Sequence, residues 1–221
     1  MGRKGGTIMN IFALSRNPYK SAEEMIDKHV IKMPTESCQM LHTNVLFADY
    51  VRHYGEEPSL AELKQFHKDI GSNLMIPAML NHPSTVWARQ TDDNARWLFE
   101  HAKALCDEYT NRYGKEHGSE ARIYDIAHEI HVHSHWKNAS AVTIAMDDKY
   151  RLDYNNDMDM WDFVNKQYQH YYLEGKWKFA SWKTEVPKWW PKNHIKKKWN
   201  IEFEAMERAT GLKMNKYKIE E

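Results

Sequence analysis

Along most of this 221-residue chain the apolar residues recur every three to four positions, the spacing of helices that bury one face. Ile26, Val30, Met33, Ser37 and Met40/Leu41 form one such stripe. His29, Lys32, Glu36, Gln39 and Thr43 form a polar stripe beside it. Ser21 with Glu24 reads as a capping box that opens a helix to about Lys32. Pro34 either kinks that helix or opens a second one, running to about His53 and stopped by Gly55. A further helix follows Ser59 to about Ile70, residues 72–83 read as a loop, and Ser84–Arg89 as a helical turn. Thr91 starts the most regular helix, with Leu98, Ala102, Leu105, Tyr109 and Tyr113 inward and Gly114 as its stop. Ser119–His131 and Asp159–Leu173 give two more. Residues 132–157 are irregular, 174–200 read as an aromatic, lysine-rich loop or short-helix region, and Ile201–Ala209 as a last short helix.

The predicted fold class is therefore mainly α: a compact multi-helix domain over 9–200, with at most a short N-terminal strand at Ile11–Leu14. Residues 1–8 form a glycine-rich, flexible tail, and 201–221 a short helix with a charged tail. Met9, directly ahead of the strand-like run, is an alternative start.

Charge changes this picture in one place. The net charge is zero, yet residues 1–165 carry 18 Lys/Arg against 24 Asp/Glu, while 166–198 carry nine Lys against two Glu. A compact basic segment on an acidic body is a footprint for a polyanion. Lys176, Lys178 and Lys183 alternate there with Trp177 and Trp182, and Lys188 and Lys192 flank Trp189-Trp190. Ammonium groups neutralise phosphates and flat rings stack on unpaired bases; the same tryptophans serve equally to close a core. The two cysteines, Cys38 and Cys106, fall on amphipathic helices and read as buried thiols, which suits a reducing cytosol. No run is long and apolar enough to span a membrane, so no membrane partner is expected.

On the polar stripe, His29, Lys32 and Glu36 bring an imidazole, an amine and a carboxylate onto one helix side, a set that can run acid–base or imine chemistry. Such a stripe is also what a solvated, salt-bridged face looks like. Asn81, His82 and Arg89 surround a helix start that can hold a phosphate or be a capped turn. Arg112 pairs with Glu108 at i,i+4, and with Lys115 it stands at a helix end that favours cations. His128–His135 has HExH rather than HExxH spacing, and no metal is assigned to it. No Walker loop, GxGxxG or GxSxG is present, and no cofactor is called for.

Asp27-Lys28-His29-Val30 followed by Glu36 resembles the first helix of the phage pyrimidine-dimer DNA glycosylases. Asn81-His82-Pro83, the helix ending Glu108–Gly114, the Met9-Asn10-Ile11-Phe12 opening and the aromatic basic end resemble other features of that family and its relatives. The resemblance covers about half of the chain. It implies a small helical enzyme that attacks C1′ of a damaged nucleotide with an amine and forms an imine. Glu36 would be the catalytic carboxylate and His29 would orient it. In the family the amine is the α-amine of a small residue at position two; here Gly2, a processed N-terminus or Lys32 would have to supply it. Pro34 inside the motif is a second departure. The implied activity is a DNA glycosylase, with AP-lyase activity, on damaged or modified pyrimidines. The implied partner is double-stranded DNA, bound by a monomer in the cytoplasm of an infected host, with Asn81, His82, Arg89, Arg112, Lys115 and the 176–183 segment on the nucleic acid. Two other readings stay open: an enzyme acting on modified pyrimidine bases or nucleotides without strand cleavage, and a non-enzymatic nucleic-acid-binding protein.

Overall fold

The computed structural model describes residues 10–130, 135–154 and 156–213, and these form an all-α fold. Eight α-helices occur among them: α1 (Pro18–Glu23), α2 (Asp27–Tyr54), α3 (Leu60–Asp69), α4 (Pro83–Gln90), α5 (Asp92–Tyr113), α6 (Glu120–Asp125), α7 (Met160–Tyr171) and α8 (Lys192–Thr210). No strand is found among the described residues: Ile11–Leu14 is buried but pairs with no sheet.

Helices α2 and α5 pack together at the centre, with α1 and α4 against α5. One apolar core runs from Ile11 to Ile195, and a satellite of Leu46, Tyr50, Leu63, Phe66 and Leu80 seats α3. Trp87, Trp97 and Trp161 fill the main core. Each satisfies its indole N–H on a nearby oxygen, of Ser140, Arg16 and Ala139 respectively, as a buried indole must. Thr91 caps α5 as expected, its hydroxyl accepting from the Asn94 N–H, and Gly114 ends the helix in the left-handed conformation.

Two expected helices differ in extent: Ser21–Lys32 breaks between Glu23 and Asp27, and of Ser119–His131 the stretch Glu120–Asp125 is helical. Three further local expectations change. Ser21 caps nothing: it is buried and its hydroxyl accepts from the Leu14 N–H, while Asn17 caps α1 through the N–H groups of Tyr19 and Lys20. Pro34 neither ends nor opens a helix, because α2 continues through it for 28 residues. The missing proline N–H leaves the Val30 carbonyl without its helix partner, and the next carbonyl, Ile31, accepts from His117 Nε2 at 3.0 Å. Finally, α8 begins at Lys192, well ahead of Ile201. Its lysine run 196–198 is helical because Ile195 and Trp199, one turn apart, anchor it inward, and Trp199 meets Trp177 and Phe203.

Candidate active site

The first half of α2 is buried around most of its circumference. His29, Val30, Met33, Pro34, Glu36 and Ser37 lie inside, and only Lys28, Ile31, Lys32 and Thr35 are exposed. The polar stripe is thus not a solvated face. Glu36 is 8 % exposed. Its Oε1 lies 2.7 Å from Lys32 Nζ, and its Oε2 accepts from the Asn10 backbone N–H at 3.2 Å. A buried carboxylate therefore sits between two nitrogens, one on its own helix and one on the incoming chain.

Residues 10–12 are shaped to make that contact. The Asn10 side chain donates to the Ala145 carbonyl at 2.5 Å, and its Oδ1 accepts from the N–H of Ile11 and from the Tyr168 hydroxyl. Phe12 takes φ +53°, a conformation costly for a bulky residue. It is held there by stacking on His29, ring centres 4.1 Å apart.

His29 does not orient Glu36. Its Nδ1 lies 2.6 Å from the Tyr172 hydroxyl. Burial raises the Tyr172 pKa well above its usual value, so the hydroxyl keeps its proton, and it accepts a backbone hydrogen bond from Ile26. With the Ile26 N–H on one lone pair, the hydroxyl proton is free to point at Nδ1, an arrangement that puts the imidazole proton on Nε2. Burial, helped by the positive charges of Lys176 and Lys32, pushes the His29 pKa down to about 3. The ring is a neutral donor at physiological pH.

Tyr172 opens a wide π-type turn, Tyr172–Lys176, that brings the basic segment to the start of α2. There Lys28 Nζ sits 4.5 Å from the centre of the Phe179 ring, and Lys176 lies over both Tyr171 and Phe179. Gly175 is required in this turn, since a Cβ there would come within 2.6 Å of the Tyr171 ring. The aromatic, lysine-rich segment thus meets α2 at Lys28.

Other sequence candidates fall elsewhere. Arg112 is not placed to hold a phosphate: its side chain is fully enclosed and paired with Asp27 at 3.0 Å and Glu108 at 2.6 Å. It also donates to the carbonyls of Met25 and Glu23. Asp27 in turn accepts from the Ser181 hydroxyl and the Lys183 N–H, so this ion cluster docks the chain after Ala180 onto α2. Trp177 is buried, and Trp182 donates its indole N–H to the Glu24 carbonyl, so both tryptophans serve the packing. Lys178 is exposed but paired with Glu202, and Lys183 lies over Tyr113. His82 is the N-cap of α4, accepting from the Ser84 N–H, while Asn81 beside it is exposed. Arg89 is half spent on structure, donating to the Leu80 carbonyl over the Phe47 ring. Lys115 is exposed beyond α5. His131 and His133 lie outside the described residues; His128 pairs with Glu129, and no metal-ligand cluster is found among the described residues.

Sequence reasoning missed Asn10 and Tyr172 as site residues. Asn10 was visible only as part of the family-like opening, and Tyr172 only as a core position on its helix.

No curated protein and no solved structure matches the chain. A family model, pyrimidine dimer DNA glycosylase, matches residues 9–120. That segment is just over half of the chain and holds Asn10, His29, Lys32 and Glu36 together. On that match, this chain belongs to the pyrimidine dimer DNA glycosylase family.

Proposed function

We propose that the protein releases pyrimidines from dimer-containing duplex DNA with Glu36 as the catalytic carboxylate, and that it then cleaves the strand as an AP lyase. The observation that carries this is the buried Glu36 carboxylate held between the Asn10 nitrogen and the Lys32 amine. A carboxylate in such a place stabilises the positive charge that develops on the deoxyribose as the glycosidic bond breaks. An amine then bonds to C1′ as the base departs with the glycosidic electron pair. Ring opening gives an imine, loss of a proton from C2′ expels the 3′ phosphate, and water frees the amine. Glu36 serves the proton transfers.

Lys32 is the amine within reach in the continuous chain. Its Nζ lies 2.7 Å from Glu36 Oε1, so the amine and the carboxylate stand together at one place on α2. One distance favours a second reading: the Asn10 nitrogen, 3.2 Å from Glu36, becomes an amine in a chain opened directly ahead of it. Lys28, Lys176 and exposed Lys115 are among the cations that can meet phosphates. The test is borohydride trapping on dimer-containing and abasic duplexes, with the adduct located by mass spectrometry. A covalent adduct on Lys32, lost in Lys32→Ala, supports the lysine. An adduct on the Asn10 nitrogen that persists in Lys32→Ala supports the second reading. No adduct on either DNA refutes the lyase step.

A further inference from the structure

Beyond Glu36 along α2, the loop of residues 72–82 is bound tightly to the helix yet presents two large apolar side chains to solvent. Ile76 is 65 % and Met79 39 % exposed. The backbone carrying them is fixed at four points. His42 Nδ1 accepts from the Met75 N–H at 2.9 Å, and Gln39 Nε2 donates to the Ile76 carbonyl at 2.8 Å. Thr43 Oγ1 bonds Ala78, and Arg89 donates to the Leu80 carbonyl at 2.7 Å. Met79 takes φ +54°, a backbone state a long side chain seldom adopts.

A rigid loop with outward apolar tips is unlike an ordinary surface loop, whose tips are polar and mobile. Its position says what covers it. Gln39 is one turn past Glu36 on the helix stripe whose exposed members are Lys28, Ile31, Lys32 and Thr35. From Lys28 to Gln39 the helix rises about 16 Å, or about five base steps along one strand. One edge of this ridge carries the Lys28–Phe179–Lys176 cluster, and the other carries Ile76 and Met79. A strand lying along the ridge meets cations first, then Lys32, 49 % exposed above the buried Glu36 carboxylate, then the apolar tips. Aliphatic side chains at such a point insert between base steps and hold a duplex open, which a base must have before its C1′ can be attacked.

We infer that Ile76 and Met79 form a wedge that enters the duplex beside the target nucleotide and keeps it unstacked. This rests on the reading of the protein as an enzyme acting on DNA at Glu36. The experiment uses a duplex containing a tetrahydrofuran abasic site with 2-aminopurine opposite, whose fluorescence rises on unstacking and needs no catalysis. Wild-type protein at saturation is expected to raise the signal, and Ile76→Ala/Met79→Ala to lower the opened-to-closed ratio by about tenfold, the order of one stacking contact. Ile201→Ala on α8, equally exposed, serves as the control. In parallel, the rate on a dimer in duplex DNA divided by the rate on the same dimer in a single strand is expected to fall about tenfold in the double variant. A fluorescence rise as large in the double variant as in wild type, or none in wild type, overturns the wedge. Opening by wild type without release of any base refutes the glycosylase reading and leaves the wedge standing.

Discussion

Replacing Arg112 by leucine removes a guanidinium that reaches α1, α2 and α5 directly and, through Asp27 and Glu108, the chain after Ala180. Its loss leaves the Asp27 and Glu108 carboxylates, each 8 % exposed, without their shared cation, and leaves the Met25 and Glu23 carbonyls without a donor. Breaking a buried pair by removing one partner costs about 3–5 kcal/mol. At about 2–4 °C per kcal/mol for a chain of this size, the melting temperature should fall by roughly 6–20 °C. Undocking should be local first, because Ser181, Lys183 and Thr184 bond to the two orphaned carboxylates. Limited trypsin digestion should therefore cut after Lys183 and Lys188 well before the rest of the chain. Thermal melting and timed digestion check both parts. A loss below about 1 kcal/mol, the size expected of a surface pair, would refute the enclosed-ion-cluster reasoning. So would unchanged melting with a weaker salt dependence of DNA binding, which is the mark of a lost phosphate contact.

Arg112 also illustrates what the sequence withheld. The i,i+4 spacing to Glu108 was visible, but its second carboxylate, Asp27, is 85 residues upstream and only the packing of α2 on α5 joins them. Local signals served well where the physics is local: the Thr91 cap, the Gly55 and Gly114 stops and the inward face of α5 all stand as read. They failed where tertiary contacts outweigh a residue's own preference. Pro34 sits inside α2, and the tryptophans among the lysines are spent largely on packing. At the candidate site the helix pattern placed Glu36 and Lys32 together. It could not show Asn10 arriving at the carboxylate, because a chain approaching from another direction leaves no periodicity.

Lowering the pH from 7 to 5 should destabilise the protein through two buried imidazoles. His29 and His101 are buried with pKa values near 3 against about 6.5 when unfolded, so the unfolded state binds more protons as pH falls below 6.5. At pH 5 each should cost about 2 kcal/mol, and urea midpoints at pH 7 and pH 5 that coincide would contradict the buried placement. Reversing Lys28 and Lys176 to glutamate should weaken binding to any duplex and lessen the slope of log affinity against log salt by about two; an unchanged slope would remove both from the interface. Gly175→Ala should cost about 1–3 kcal/mol by overpacking against Tyr171 and Tyr150, read as a lowered melting temperature, and equal melting would show that the turn adapts.

The most direct test of the account is cleavage by Glu36→Gln of the glycosidic bond at a single pyrimidine dimer in duplex DNA, read as alkali-labile strand breaks. The amide keeps the size of the side chain and a hydrogen-bond acceptor for the Asn10 N–H, but it removes the charge. The account predicts a rate lower by about 10²–10⁴-fold with the fold and DNA binding retained. Glycosidic cleavage by Glu36→Gln within a few-fold of wild type would contradict it.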